Sequence, residues 1–191
     1  SLPVKTMQAL IALARTRPEQ IHFGSSGVAT GTHMSMELFT SMAGIRLVHV
    51  PYKGGAPGVT ALVSGEVQVN FATITTALPH VKSGRLRALA VSTARRSAAA
   101  PEIPTVAEAG LKGYEYASWI GLLAPAGTPA GVISKLNAES IKALQAPEIR
   151  ERLAAEGSEL VGGTPLQFAA TIAVEVARWM KVVKAAGIQA Q

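Results

Sequence analysis

Cysteine is absent from the 191 residues. That excludes a disulfide framework and thiolate chemistry, and it suits an oxidising compartment, where stray thiols are a liability, as well as it suits the cytosol. No apolar run is long enough to cross a bilayer. The opening residues, Ser1-Leu2-Pro3-Val4-Lys5, lack the charged start, apolar core and small-residue cleavage site of a signal peptide. Acidic side chains are scarce where chemistry would need them: between Ser41 and Ala100 the only one is Glu66. Hydrolytic and acid–base mechanisms are starved of residues there, and an enzyme is not expected. His22, His33, His49 and His80 show no paired metal-ligand spacing, so neither a metal nor any other cofactor is expected. Gly24, Gly27 and Gly31 fit neither GxGxxG nor a GxxxxGK[ST] loop, which leaves nucleotide binding without support.

What is present belongs to a folded globular chain: 48% hydrophobic and 16% charged residues, in a length suited to one large domain or two small ones. Eighteen Lys and Arg against twelve Asp and Glu leave a charge of +6. The cations are scattered (Arg15, Arg17, Lys53, Arg85, Arg87), and only Arg95 and Arg96 adjoin. Such a spread steers small anions and is unlike the concentrated, aromatic-interleaved charge of a nucleic-acid surface, so no nucleic-acid partner is expected.

Periodicity predicts a helix over 6–17 with Thr6 as cap, a short strand at 21–23, and a loop at 24–33 opening a helix that Gly44 stops. A strand at 45–50, a helix at 59–64, a strand at 67–74, a helix at 76–83 and a strand at 86–92 follow. This alternation implies an α/β fold with a parallel-rich sheet. Beyond residue 94 the reading is a loop, a short helix at 106–109, a strand at 114–123, and three helices started by Pro129, Pro147 and Pro165.

The loop at 24–33 is the leading candidate site, because a helix N-terminus offers unpaired N–H groups and a positive dipole end, and small residues let an anion approach. Ser25, Ser26, Thr30 and Thr32 add hydroxyls, Gly27 and Gly31 add open backbone, and His33 is a ligand contact or an ordinary packing residue in the first turn. The bland alternative is a simple N-cap with a glycine turn. Two further strand ends offer polar groups: Tyr52 and Lys53 in Val50-Pro51-Tyr52-Lys53-Gly54-Gly55, and Thr73 in Phe71-Ala72-Thr73-Ile74-Thr75-Thr76. In open α/β sheets ligands sit outside the carboxyl ends of strands.

Taken together, His49-Val50-Pro51-Tyr52-Lys53-Gly54, Ala77-Leu78-Pro79-His80, Gly84-Arg85-Leu86-Arg87-Ala88-Leu89-Ala90-Val91, Pro104-Thr105-Val106-Ala107-Glu108-Ala109-Gly110, Gly121-Leu122-Leu123-Ala124-Pro125-Ala126-Gly127-Thr128-Pro129 and the closing Trp179-Met180-Lys181-Val182-Val183-Lys184-Ala185-Ala186-Gly187-Ile188 carry a resemblance along the whole chain. The sequence resembles the Bug-type extracytoplasmic receptors of the tripartite tricarboxylate transporter family.

The resemblance implies a type II periplasmic-binding-protein fold, in which two α/β lobes close on a small mono- or dicarboxylate for delivery to membrane transporter subunits in the periplasm. It implies no catalytic residues. It assigns one carboxylate to the loop at 24–33, held by backbone N–H and hydroxyl groups. It also implies that residues 1–120 form a complete lobe and 121–191 the C-terminal helical part of the other, with the N-terminal portion and signal peptide missing. An incomplete lobe of that kind is expected to self-associate. Two departures stand out: Val28 and Ala29 occupy positions where the family has small polar residues such as Asn-Gly, and Ala72 stands where many members carry an Asp. The rival readings are an effector-binding domain of a cytosolic transcription regulator, which requires a helix-turn-helix segment, and a hydrolase built on Ser25 and His33.

Overall fold

The structure, a computed structural model, describes residues 2–188. Thr6 caps the first helix, α1 (Met7–Thr16), by accepting the Ala9 N–H at 3.1 Å, and the helix buries Met7, Leu10 and Ala14 on one stripe. Strand β1 (His22–Ser25) leads to α2 (Gly31–Ala43), closed by Gly44 in the left-handed region (φ 61°). Strand β2 (Val48–Pro51), α3 (Gly55–Ser64), β3 (Val69–Asn70) and α4 (Ile74–Lys82) follow.

The strands form a parallel sheet in the order β2-β1-β3. His22 pairs with Val48 and Ser25 with Pro51, while Phe23 pairs with Val69 and Gly24 with Asn70. Every crossover passes through a helix, as parallel pairing requires: α2 links β1 to its neighbour β2, and α3 carries the chain from β2 past β1 to β3 on the far side. Phe23, on the middle strand, is completely buried, and Ile21, Phe39, Val59, Val67, Val106 and Tyr114 share the core. The Tyr114 hydroxyl donates to the Ser35 carbonyl at 3.0 Å, so the segment after residue 110 is tied to α2.

Several expected elements are shorter or missing. The strand expected over 67–74 is reduced to Val69–Asn70, because α4 starts at Ile74. Those expected at 86–92 and 114–123 do not form: one parallel bridge, Val91 with Thr105, and a bond from the Tyr116 N–H to the Ser92 carbonyl (2.7 Å) are the pairings made there. Apolar, β-branched composition makes a segment fit for a sheet, but without a continuous neighbouring ladder it stays irregular. The helix expected at 106–109 is a single turn, in which Thr105 and Glu108 exchange side-chain-to-N–H bonds of 3.0 Å each.

The described residues divide into two compact units, one of 2–118 with 182–188 and one of 119–181. The second contains α5 (Ala130–Gln145), α6 (Pro147–Ala155) and most of α7 (Pro165–Ala186). Within it Asn137 donates to the Gly163 carbonyl at 2.9 Å, and Trp119 meets Phe168 edge-on at 5.2 Å. Ile120, Leu122, Leu123, Val161 and Leu166 are exposed in this unit.

Candidate ligand-binding site

Because all three strands run the same way, their carboxyl ends share one edge of the sheet. Ser25 ends the middle strand there, flanked by Pro51 of β2 and Asn70 of β3. The loop after β1 is lashed to its neighbour by two backbone bonds, from the Tyr52 N–H to the Ser25 carbonyl (3.0 Å) and from the Gly54 N–H to the Ser26 carbonyl (3.1 Å).

Within the loop the hydroxyls form a directed network. Thr30 donates to the Gly27 carbonyl at 2.7 Å, and Ser26 donates to Thr30 at 3.1 Å. Thr32 accepts the Ser26 N–H at 2.8 Å and lies 2.9 Å from the Ser26 hydroxyl. Each hydroxyl has one proton, so with that of Thr30 given to Gly27 and that of Ser26 given to Thr30, Thr32 donates to Ser26, with Thr30 a second acceptor at 3.2 Å; its proton turns outward only by leaving these partners. Thr30 occupies the N-cap of α2, but its side chain does not cap the helix. Among the described residues the N–H groups of Gly31, Thr32 and His33 accordingly carry no hydrogen bond. Ser26, Gly27, Thr30 and Thr32 are half-buried and Gly31 is exposed, so these donors face an accessible surface. A Cβ at Gly31 would run into the Tyr116 hydroxyl. Gly27, at φ 139°, adopts a backbone that L side chains rarely take.

Behind the loop lies a pair of stacked imidazoles. The rings of His33 and His49 are 3.7 Å apart and 8° from parallel, and Phe23 stacks on His49 at 4.8 Å. His33 Nδ1 accepts the Ala29 N–H at 3.0 Å, which places its proton on Nε2, 3.4 Å from Glu37. His49 Nε2 lies 2.6 Å from the Ser25 hydroxyl. Burial pushes the His49 pKa down to about 4, helped by the neighbouring His33 and opposed by Glu37.

The expected site residues therefore fall into three groups. Ser26, Gly27, Thr30, Gly31 and Thr32 come together at the open face. Ser25 and His33 lie beneath it, both buried and both with internal partners. Tyr52 and Thr73 stand at the flanking strand ends. The Tyr52 hydroxyl donates to Glu66 at 2.6 Å; desolvation, helped by this bond, raises its pKa to about 12. The exposed Thr73 shares its hydroxyl with Thr76 (2.9 Å) and Thr75 (3.3 Å). The hydrolase reading built on Ser25 and His33 is overturned: Ser25 pairs with His49, and a hydroxyl with no solvent exposure cannot meet a substrate. Sequence reasoning missed His49, Tyr116 and Asn70, whose amide stands where side chains at Gly24 or Gly58 would need to go. Among the described residues no His, Cys, Asp or Glu cluster could hold a metal ion.

A family model described as "Tripartite tricarboxylate transporter family receptor" matches residues 1–188. The chain belongs to this receptor family. The "UPF0065 protein in tcbD-tcbE intergenic region" of Pseudomonas sp. strain P51 is 39% identical over 175 residues, covering 91% of this chain and 52% of that protein. "Protein BugT" of Bordetella pertussis is 36% identical over 186 residues, covering 97% and 57%. Among solved structures, "R. palustris Rpa4515 with adipate" superposes with a TM-score of 0.87 at 39% identity, covering 98% of this chain and 63% of that one. "MatC (Rpa3494) from Rhodopseudomonas palustris with bound malate" gives 0.79 at 29% identity, covering 95% and 63%. The chain thus spans a little over half the length of these curated relatives. The α/β fold is that of the periplasmic binding proteins of this family, which are solute receptors rather than enzymes.

Proposed function

We propose that this chain is the ligand-gripping part of a periplasmic solute receptor that captures a small mono- or dicarboxylate for the membrane subunits of a tripartite tricarboxylate-type transporter. In this reading residues 1–120 correspond to one lobe and 121–191 to the helical part of the other. The observation that carries it is the opening of α2, where three N–H groups without a partner among the described residues and the half-buried Thr32 hydroxyl lie at an accessible surface. A carboxylate accepts the three N–H groups without displacing an existing bond and the Thr32 hydroxyl in exchange for its bond to Ser26, and each charge-assisted bond contributes on the order of 1.5–3 kcal/mol. The positive end of the helix dipole and the +6 net charge favour the same ligand. Support also comes from two relatives whose structures hold adipate and malate. Nothing in the fold favours the transcription-regulator reading.

Calorimetric titration with adipate, malate and the uncharged diamide of adipate tests the proposal. Binding of an acid but not of the diamide, lost in Thr32→Val and kept in Thr32→Ser, is the expected result. Equal binding of the diamide would overturn it. The apolar side chains exposed at Ile120, Leu122 and Leu123 support self-association of the isolated chain, which light scattering after size-exclusion chromatography would reveal as a dimer or larger species.

A further inference from the structure

The imidazole pair beneath the loop is not needed to touch a ligand, yet it holds both ends of the segment that would. His33 reaches Ala29 and His49 reaches Ser25, and the two rings stack on each other with Phe23 as a third layer. Ala29 is one of two non-glycine residues with positive φ among the described residues (59°), a conformation that an L side chain keeps only when its surroundings enforce it. The bond from its N–H to His33 Nδ1 is that enforcement. Ser25, in turn, holds the Gly27 N–H at 3.1 Å, so the setting of His49 is passed to the turn that Thr30 closes.

We propose that His33 and His49 are positioning residues that hold the carboxylate loop in its binding shape only while both rings are neutral, so that acidification releases the loop and its ligand together. This rests on the carboxylate reading of the same loop. The chemistry is local. Protonating His33 at Nδ1 converts the acceptor of the Ala29 N–H into a second donor, and the strained residue loses its hold. Protonating His49 brings a cation against the face of a ring 3.7 Å away, while Ser25, whose own proton goes to the Gly27 carbonyl, goes on accepting from Nε2, so the release comes through the stack. Glu37, on the same helix as His33, is the charged group facing the pair. From β1 the pair meets the Phe23 ring and the Ser25 hydroxyl, neither of which titrates in this range.

Isosteric replacement separates positioning from mere packing. Asn in place of His33 keeps an acceptor near Nδ1, and Gln in place of His49 keeps a polar group near Nε2, while neither titrates. Two readouts would be followed on the full chain from about pH 7.5 to about pH 3.5, through the His49 transition: hydrogen exchange of the Ala29 amide by NMR, and the affinity for adipate. In the unmodified chain, protection of the Ala29 amide and adipate affinity should fall together, affinity by about tenfold beyond the ligand's own titration. The H33N/H49Q chain should match it at neutral pH and show a flattened profile. H33A and H49A should lose protection already at neutral pH. The proposal is overturned if the isosteric double variant retains the original pH profile, or if the alanine variants protect Ala29 as well as the unmodified chain does. Should Ala29 protection follow the expected course while adipate binds at no pH, the positioning role stands and the carboxylate reading falls.

Discussion

The Ser25 hydroxyl lies 2.6 Å from His49 Nε2 while accepting the Gly27 N–H at 3.1 Å and facing the Gly27 carbonyl at 3.0 Å. With no solvent exposure, it joins a strand end, a turn and a neighbouring strand. Ser25→Ala strands a buried N–H and an imidazole nitrogen, so the expected loss of stability is about 1–3 kcal/mol. Urea denaturation measures it. Hydrolysis of activated esters should stay at the buffer rate in both proteins, and turnover abolished in a stably folded Ser25→Ala chain would restore the enzyme reading.

Acid should weaken the fold through His49. Its folded-state pKa of about 4 lies below the ordinary 6.5, so the unfolded chain binds the proton more tightly. The contribution is complete above about pH 6.5 and is lost as pH falls through about 4. Denaturation midpoints across that window should decline in the unmodified chain and change less in His49→Gln. Parallel declines in both would show that another group is responsible.

Ala29 makes the opposite kind of prediction, a gain. At φ 59° an alanine bears a steric cost that glycine does not, and the N–H that reaches His33 survives the exchange. Ala29→Gly should therefore raise stability by roughly 1 kcal/mol, after allowing for the extra freedom glycine has when unfolded. A thermal melt with no increase in midpoint would mean that the surrounding bonds have already relieved the strain. The departure noted at this position in the sequence is thus visible as backbone geometry.

Features decided within a few residues were legible beforehand. The Thr6 cap, the Gly44 stop and the starts of the last three helices all depend on local chemistry that one segment contains. So was the hydroxyl-rich opening of α2, because loop and helix are contiguous. The partner of Ser25 was not legible: His49 is 24 residues away and arrives only through the β1–β2 register, which pairs it with Phe23. His33 looked the nearer partner in sequence, but helix geometry turns it toward Ala29 and Glu37. Segments 86–92 and 114–123 have strand composition, yet strand formation depends on a neighbour that composition does not reveal.

Tyr52 distinguishes a ligand contact from a structural one. Its hydroxyl is committed to Glu66, so Tyr52→Phe should alter adipate affinity by less than about twofold. Spectrophotometric titration should show the Tyr52 phenol ionising near 12 in the unmodified chain and lower in Glu66→Gln, though still raised by desolvation. A large loss of adipate binding in Tyr52→Phe would instead place that hydroxyl against the ligand.

Gly31 separates the fold's needs from the ligand's. A methyl group there collides with the Tyr116 hydroxyl, and forcing it in should cost about 1–3 kcal/mol. Removing the hydroxyl makes room, so Gly31→Ala should cost less stability in a Tyr116→Phe background than in the unmodified chain, since alanine is also the better helix former by up to about 1 kcal/mol. Binding should not recover in that background, because the new methyl group stands beside the open N–H groups of the first turn, where a carboxylate has to approach. Urea denaturation and adipate titration of the two single variants and the double variant read these effects separately. A smaller stability loss in the Tyr116→Phe background with adipate binding still weak places the ligand at the start of α2, whereas recovery of binding as well would move the ligand elsewhere.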